Sequence, residues 1–129
     1  MHNLTPHLFV ADMPASIAFY RDVLSFTVNR AHPEEAPTFA SLERPGANLM
    51  LSPYEGAFED WAMMAAARGR RGQGGAVSFY IESSDVDREF AHVQECGATI
   101  VDALVTQPWG QREFTVADPD GFWWAIWQV

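Results

Sequence analysis

The chain has 129 residues, 48% of them hydrophobic, and carries 17 acidic against 8 basic side chains for a formal charge of −9. That length predicts one domain with a real core and excludes a disordered chain. No run approaches 18 apolar residues, so no membrane span is expected, and the acidic field disfavours nucleic acid and anionic membrane while favouring cations. The same acidity also serves solubility alone. All basic residues are arginine, and the single cysteine, Cys96, rules out an intrachain disulfide. The N-terminal Met1-His2-Asn3-Leu4-Thr5-Pro6 lacks a charged-then-apolar signal, so the expected compartment is the cytoplasm.

Leu4 to Val10 reads as a short strand. Asp12 then caps a helix with Pro14 in its first turn, and Ile17, Phe19, Tyr20, Val23 and Leu24 give that helix a buried face. Phe26 to Arg30, Thr38 to Glu43 and Ala47 to Ser52 read as strands, separated by Pro33, Pro37, Pro45 and Gly46. Trp61 to Ala67 predicts a short helix, and Arg68 to Gly75 a flexible basic linker.

The order then repeats. Ala76 to Glu82 is a strand, and Ser84 caps a helix with Asp85 and Asp87 in its first turn. Val86, Phe90 and Val93 face inward, and Gly97 stands where a left-handed terminator belongs. Ala98 to Val101, Arg112 to Ala117 and Phe122 to Gln128 complete the strands. Asp118-Pro119-Asp120-Gly121 reads as a tight hairpin turn, not a catalytic acid pair. The expected fold is α+β: two βαβββ modules, about 1–53 and 76–129, joined by 54–75.

Asp12-(x)3-Ser16-Ile17-Ala18-Phe19-Tyr20-Arg21-Asp22-Val23-Leu24, then Phe26, resembles the first helix of the vicinal-oxygen-chelate superfamily, which includes glyoxalase I, extradiol dioxygenases and bleomycin-resistance proteins. Asp118-Pro119-Asp120-Gly121 resembles its closing hairpin. The resemblance covers the chain except 54–75 and implies one domain over 1–129, its modules forming a curved mixed sheet, paired in a homodimer. Metal enzymes of that superfamily place His, Gln or Glu on the first and fourth strands of each module. Alignment puts Thr5, Leu49 (or Asn48), Ser78 and Ala125 there, and none is a strong metal ligand. No metal, cofactor or catalytic residue is therefore expected. His7, two residues after Thr5, is a lone histidine on that strand face.

Gln107-Pro108-Trp109-Gly110-Gln111-Arg112-Glu113-Phe114 is similar to the QPWG-REF segment of bleomycin-resistance proteins, which have one residue fewer between Gly and Arg. Thr38-Phe39-Ala40 also aligns with that branch. The resemblance implies that Phe39 and Trp109 clamp a flat ligand, and that a homodimer sequesters it between subunits without changing it. Trp109 follows a proline, where an aromatic also packs readily on a sheet, and most aromatics placed as Phe39 is are core, so core packing is the competing reading for both. Trp123 and Trp127 share a strand face with Ala125 and become pocket candidates, or parts of a subunit interface. Tyr80 and Glu82 share one face of the fifth strand, and Glu82 is a pocket acid or a solvated one. Trp61 and Met63–Met64 form a lid or a covering helix. Arg112 and Glu113 lie on opposite strand faces and should not pair, and Cys96, at a helix C-terminus, reads as structural. The partners expected are a small planar cationic ligand, such as a bleomycin-like antibiotic, and a second copy. A glyoxalase- or dioxygenase-like enzyme of the same fold is the alternative.

Overall fold

The computed structural model describes residues 3–54, 62–69 and 77–129. The chain divides into two compact units, Met1–Gly72 and Gln73–Val129. Each contains a βαβββ module with a four-stranded mixed sheet.

In the first module β1 (His7–Val10) leads into α1 (Met13–Ala18), a π-helical turn (Phe19–Val23), β2 (Thr27–His32), β3 (Phe39–Arg44) and β4 (Ala47–Pro53). The sheet order is β1-β4-β3-β2, with β1 parallel to β4 and the other pairs antiparallel. Asp12 caps α1: its Oδ1 accepts from the Ala15 amide at 3.0 Å. The Leu24 amide then reaches the Phe19 carbonyl, five residues back. That wider turn shifts the inward stripe to Met13, Ser16, Tyr20 and Leu24, leaving Ile17, Phe19 and Val23 half-buried rather than fully inside. The stripe covers one sheet face, built from Leu8, Val10, Ala40, Leu42, Leu49 and Leu51.

A β-bulge changes what β2 presents. Val28 opposes Leu42, but Arg30, not Asn29, opposes Ser41. The extra residue moves Arg30 and His32 to the sheet face away from α1, and puts Val28 and Ala31 on the helix side. Strict alternation from Val28 would have sent Arg30 toward the core. Arg68 and Gly69 belong to α2 (Ala62–Gly69) and not to a linker; Arg68 donates to the Tyr54 carbonyl at 3.2 Å. Trp61 and 70–76 lie outside the described residues.

The second module runs β5 (Ser78–Glu82), α3 (Val86–Glu95), β6 (Thr99–Thr106), β7 (Arg112–Ala117) and β8 (Trp123–Gln128), with sheet order β5-β8-β7-β6. Asp85, not Ser84, caps α3, accepting from the Arg88 amide at 3.1 Å, while the Ser83 hydroxyl accepts from the Asp85 amide. The carboxylate reaches the helix donors only from one residue further on. Gln128 ties β8 to the same end: its Oε1 accepts from the Val86 amide and its Nε2 donates to the Ser84 carbonyl. At the other end the Gly97 amide bonds Gln94 and the Ala98 amide bonds Val93, with Gly97 at φ +73°. A Cβ at Gly97 would meet nothing within 4 Å. Gly97→Ala should therefore cost about 1–2 kcal/mol through backbone conformation alone, read as a lower denaturation midpoint with an unchanged slope. Cys96 is exposed, its Sγ 3.6 Å from His92 Nε2, so it does not fill a structural core position.

α3 packs on β6, β7 and β8. Val86, Val93, Phe114, Val116, Trp124 and Ile126 make that core, with Phe90 and Phe114 ring centroids 5.1 Å apart. The closing turn is built as its residues require: buried Asp118 accepts from the Asp120 and Phe122 amides at 2.9 and 2.8 Å, and Gly121 takes φ +88°. No helix among the described residues is long and apolar enough to cross a membrane.

Candidate functional site

With one face of each sheet covered by its helix, the opposite face carries the chemistry. In the second module the strand registers align three rows across that open face. Glu82, Trp127, Glu113 and Val105 form one; Tyr80, Ala125, Thr115 and Asp102 the next; Ser78, Trp123, Ala117 and Thr99 the third. Neighbouring strands lie about 4.8 Å apart, so Glu82 and Glu113 flank the Trp127 indole on both sides.

Glu113 is only 7% exposed, the one buried glutamate among the described residues. The Glu113 carboxylate of β7 acts electrostatically on the phenol of Tyr80 on β5. Tyr80 pairs in register with Ala125 of β8, the strand that lies between β5 and β7. Tyr80 is 58% exposed. The phenol is raised above its ordinary value by desolvation first, then by the Glu113 charge and hydrogen bond and by Asp102. The Gln111 amide also donates to Glu113, at 3.4 Å.

Tyr80, Trp123, Trp127 and the carboxylates of Glu82, Asp102 and Glu113 therefore share one face. The described cations of this module lie elsewhere. Arg88 and His92 are on α3, and Arg112 projects to the helix side, bonding Asp87 at 2.8 Å. Opposite projection separates Arg112 from Glu113, as expected from their adjacency in one strand. Sequence reasoning used Glu113 only in that contrast and missed it as a site residue; its phase with Thr115 and Ala117, opposite Phe114 and Val116, was the available signal. Glu82 is exposed at its row's end.

Trp109 sits at the tip of the β6–β7 hairpin, 70% exposed. The Gly110 amide bonds the Gln107 carbonyl, the Gln107 amide bonds Gln111, and Gly110 takes φ +95°. Pro108 and this turn hold the indole outward instead of packing it on the sheet.

In the first module the open face holds His7, Met50, Ser41 and Arg30 in one row, and Phe9 beside Ser52, with Phe39 beside His32, in the next. His7 Nε2 and Ser52 Oγ share a 2.9 Å hydrogen bond. Phe9 lies 4.6 Å and Phe39 6.5 Å from the His7 ring, centroid to centroid. Burial lowers the His7 pKa below its ordinary value. Since the unfolded chain then binds the proton more readily, His7 takes stability away as pH falls through the ordinary histidine range, and costs nothing above it. Wild-type Tm should thus drop more steeply than that of His7→Gln between pH 7 and pH 5, a difference calorimetry reads directly. Beside β2, Arg30, His32, Asn29, Glu34 and Phe39 line an open hollow of about 890 Å³.

The superfamily's metal positions can be tested residue by residue. Leu49 is fully buried on the helix side with Leu51, so the open-face residue is Asn48, in phase with Met50 and Ser52. Thr5, Asn48, Ser78 and Ala125 offer two hydroxyls, an amide and a methyl group, which do not fit a Zn, Mn or Fe site. Among the described residues no three His, Cys, Asp or Glu side chains are grouped as a metal would need.

Residues 2–126 match the Glyoxalase/Bleomycin resistance protein/Dioxygenase superfamily. The chain belongs to that superfamily. An uncharacterised protein of Mycobacterium bovis is 32% identical over 130 residues, covering 97% of this chain and 82% of the relative. The superfamily fold is equally clear in solved structures. TioX from Micromonospora sp. ML1 superposes with a TM-score of 0.78 at 23% identity, covering 99% of this chain and 98% of TioX. A superfamily member from Sphaerobacter thermophilus DSM 20745 gives 0.74 at 21% identity, covering 100% of this chain and 98% of that one. Within this superfamily, then, the four metal positions of the present chain carry no strong ligand.

Proposed function

We propose that this superfamily member is a metal-free binding protein of the bleomycin-resistance type, a cytoplasmic homodimer that sequesters a planar cationic ligand without altering it. One observation carries the reading: the open face of the second sheet joins Tyr80, Trp123 and Trp127 to Glu82, Asp102 and Glu113, with the module's described cations off that face. Indole and phenol faces attract cations and stack on flat rings, and the carboxylates supply the counter-charge. The outward Trp109, in the same module, supports stacking on the same ligand. Calorimetric titration with metal-free bleomycin tests this. Saturable heat at micromolar concentration and recovery of intact ligand are expected; no heat removes the drug assignment.

His7 supports a second reading, an enzyme of the same fold, because burial keeps its imidazole neutral beside the Ser52 hydroxyl, as a proton acceptor requires. Elemental analysis separates the two. A stoichiometric divalent metal whose removal abolishes an activity would favour the enzyme.

A further inference from the structure

We infer that the first module carries an anion-seeking site of its own: the hollow beside β2 binds a planar aromatic carboxylate, paired with Arg30 and stacked on Phe39. This does not rest on the cation-binding reading, since the described residues lining the hollow all belong to the first module and its charge preference is opposite. At about 890 Å³ it falls in the size range of small-molecule sites. The β2 bulge creates it. By inserting Asn29, the bulge turns Arg30 and His32 to the open face, where they line the hollow with Phe39 and Glu34.

Arg30 is exposed, and no ion pair or hydrogen bond engages its side chain among the described residues; its cross-strand partner is the uncharged Ser41. A planar guanidinium presents parallel N–H donors that match a carboxylate's two oxygens. His32 opposes Phe39 directly, which sets Arg30 one diagonal step from the Phe39 ring. That ring stands edge-on to His7, so its position is fixed before a ligand arrives. An aromatic ring on Phe39 thus brings an attached carboxylate to Arg30. Two carboxylates bear on the site: Glu34 lines the hollow, and Glu43 lies on the same sheet face opposite Thr27. Glu34 selects against ligands with more than one negative charge.

The probes are 2-naphthoate and its neutral isostere 2-naphthamide, followed by ¹H–¹⁵N NMR of the whole chain at physiological salt, where the long-range acidic field is screened. Saturable shifts of the Asn29 to His32 amides are expected with naphthoate, and at least tenfold weaker binding of naphthamide. Arg30→Gln should weaken naphthoate at least tenfold, Arg30→Lys less, and Glu34→Gln should tighten it. Equal binding of the two probes, an unchanged Arg30→Gln, or loss of naphthoate binding in Glu34→Gln would each overturn the site. Bleomycin titration of Arg30→Gln separates the two proposals, because the cation-binding face contains no Arg30.

Discussion

Glu113→Gln is expected to weaken binding of a flat cationic ligand by at least about thirtyfold. Glu113 is a buried carboxylate on the open face of the second sheet, accepting from the Gln111 amide, acting on the Tyr80 phenol and next to Trp127 in register. Removing one charge of a buried, hydrogen-bonded ion pair costs about 2–5 kcal/mol, which converts to that loss or more. The glutamine oxygen still accepts from the Gln111 amide, so the fold is retained, and removal of a buried charge leaves stability equal or higher. Calorimetry on both proteins measures the ratio. Glu82→Gln should do less, because a solvent-exposed carboxylate is worth about 1 kcal/mol or below. Equal effects at the two positions would mean that burial does not set the strength of this site.

Phe114→Ala should destabilise the protein by about 3–5 kcal/mol. Phe114 is fully buried at the centre of the second core, pairs in register with Ile126 and meets the Phe90 ring of α3 at 5.1 Å. Its removal leaves a cavity that a sheet pinned by β6 and β8 cannot close. Guanidinium denaturation would read the change as a lower midpoint with a similar slope. A loss under 1 kcal/mol would mean that α3 collapses into the gap.

Local chemistry was legible in the sequence and cross-strand chemistry was not. Asp118 and Gly121 state their turn within four residues, Asp12 its cap and Gly97 its terminator, and the structure builds each as read. The limits of β7, Arg112–Ala117, follow from period two and a turn on each side. The β2 bulge is different. Nothing in Thr27-Val28-Asn29-Arg30 shows which residue β3 will skip, so the placement of Arg30 depends on a partner strand. The register of β4 likewise needed β1 and β3 to separate Leu49 from Asn48. The action of Glu113 on the Tyr80 phenol joins residues 33 apart through two strand pairings, and no spacing rule reaches that far. Tyr80, Trp123 and Trp127 do share one face, as alternation along β5 and β8 requires.

The central claim is that the acid-and-aromatic face of the second module holds the ligand, and the indole N–H signals in the NMR spectrum test it most directly. Trp123 and Trp127 lie on the open face, Trp109 stands outward on its hairpin, and Trp124 is buried against Phe79 at 4.8 Å. Titration with metal-free bleomycin should move the Trp109, Trp123 and Trp127 indole signals together to saturation and leave Trp124 in place. Binding that leaves both Trp123 and Trp127 unmoved would contradict the claim.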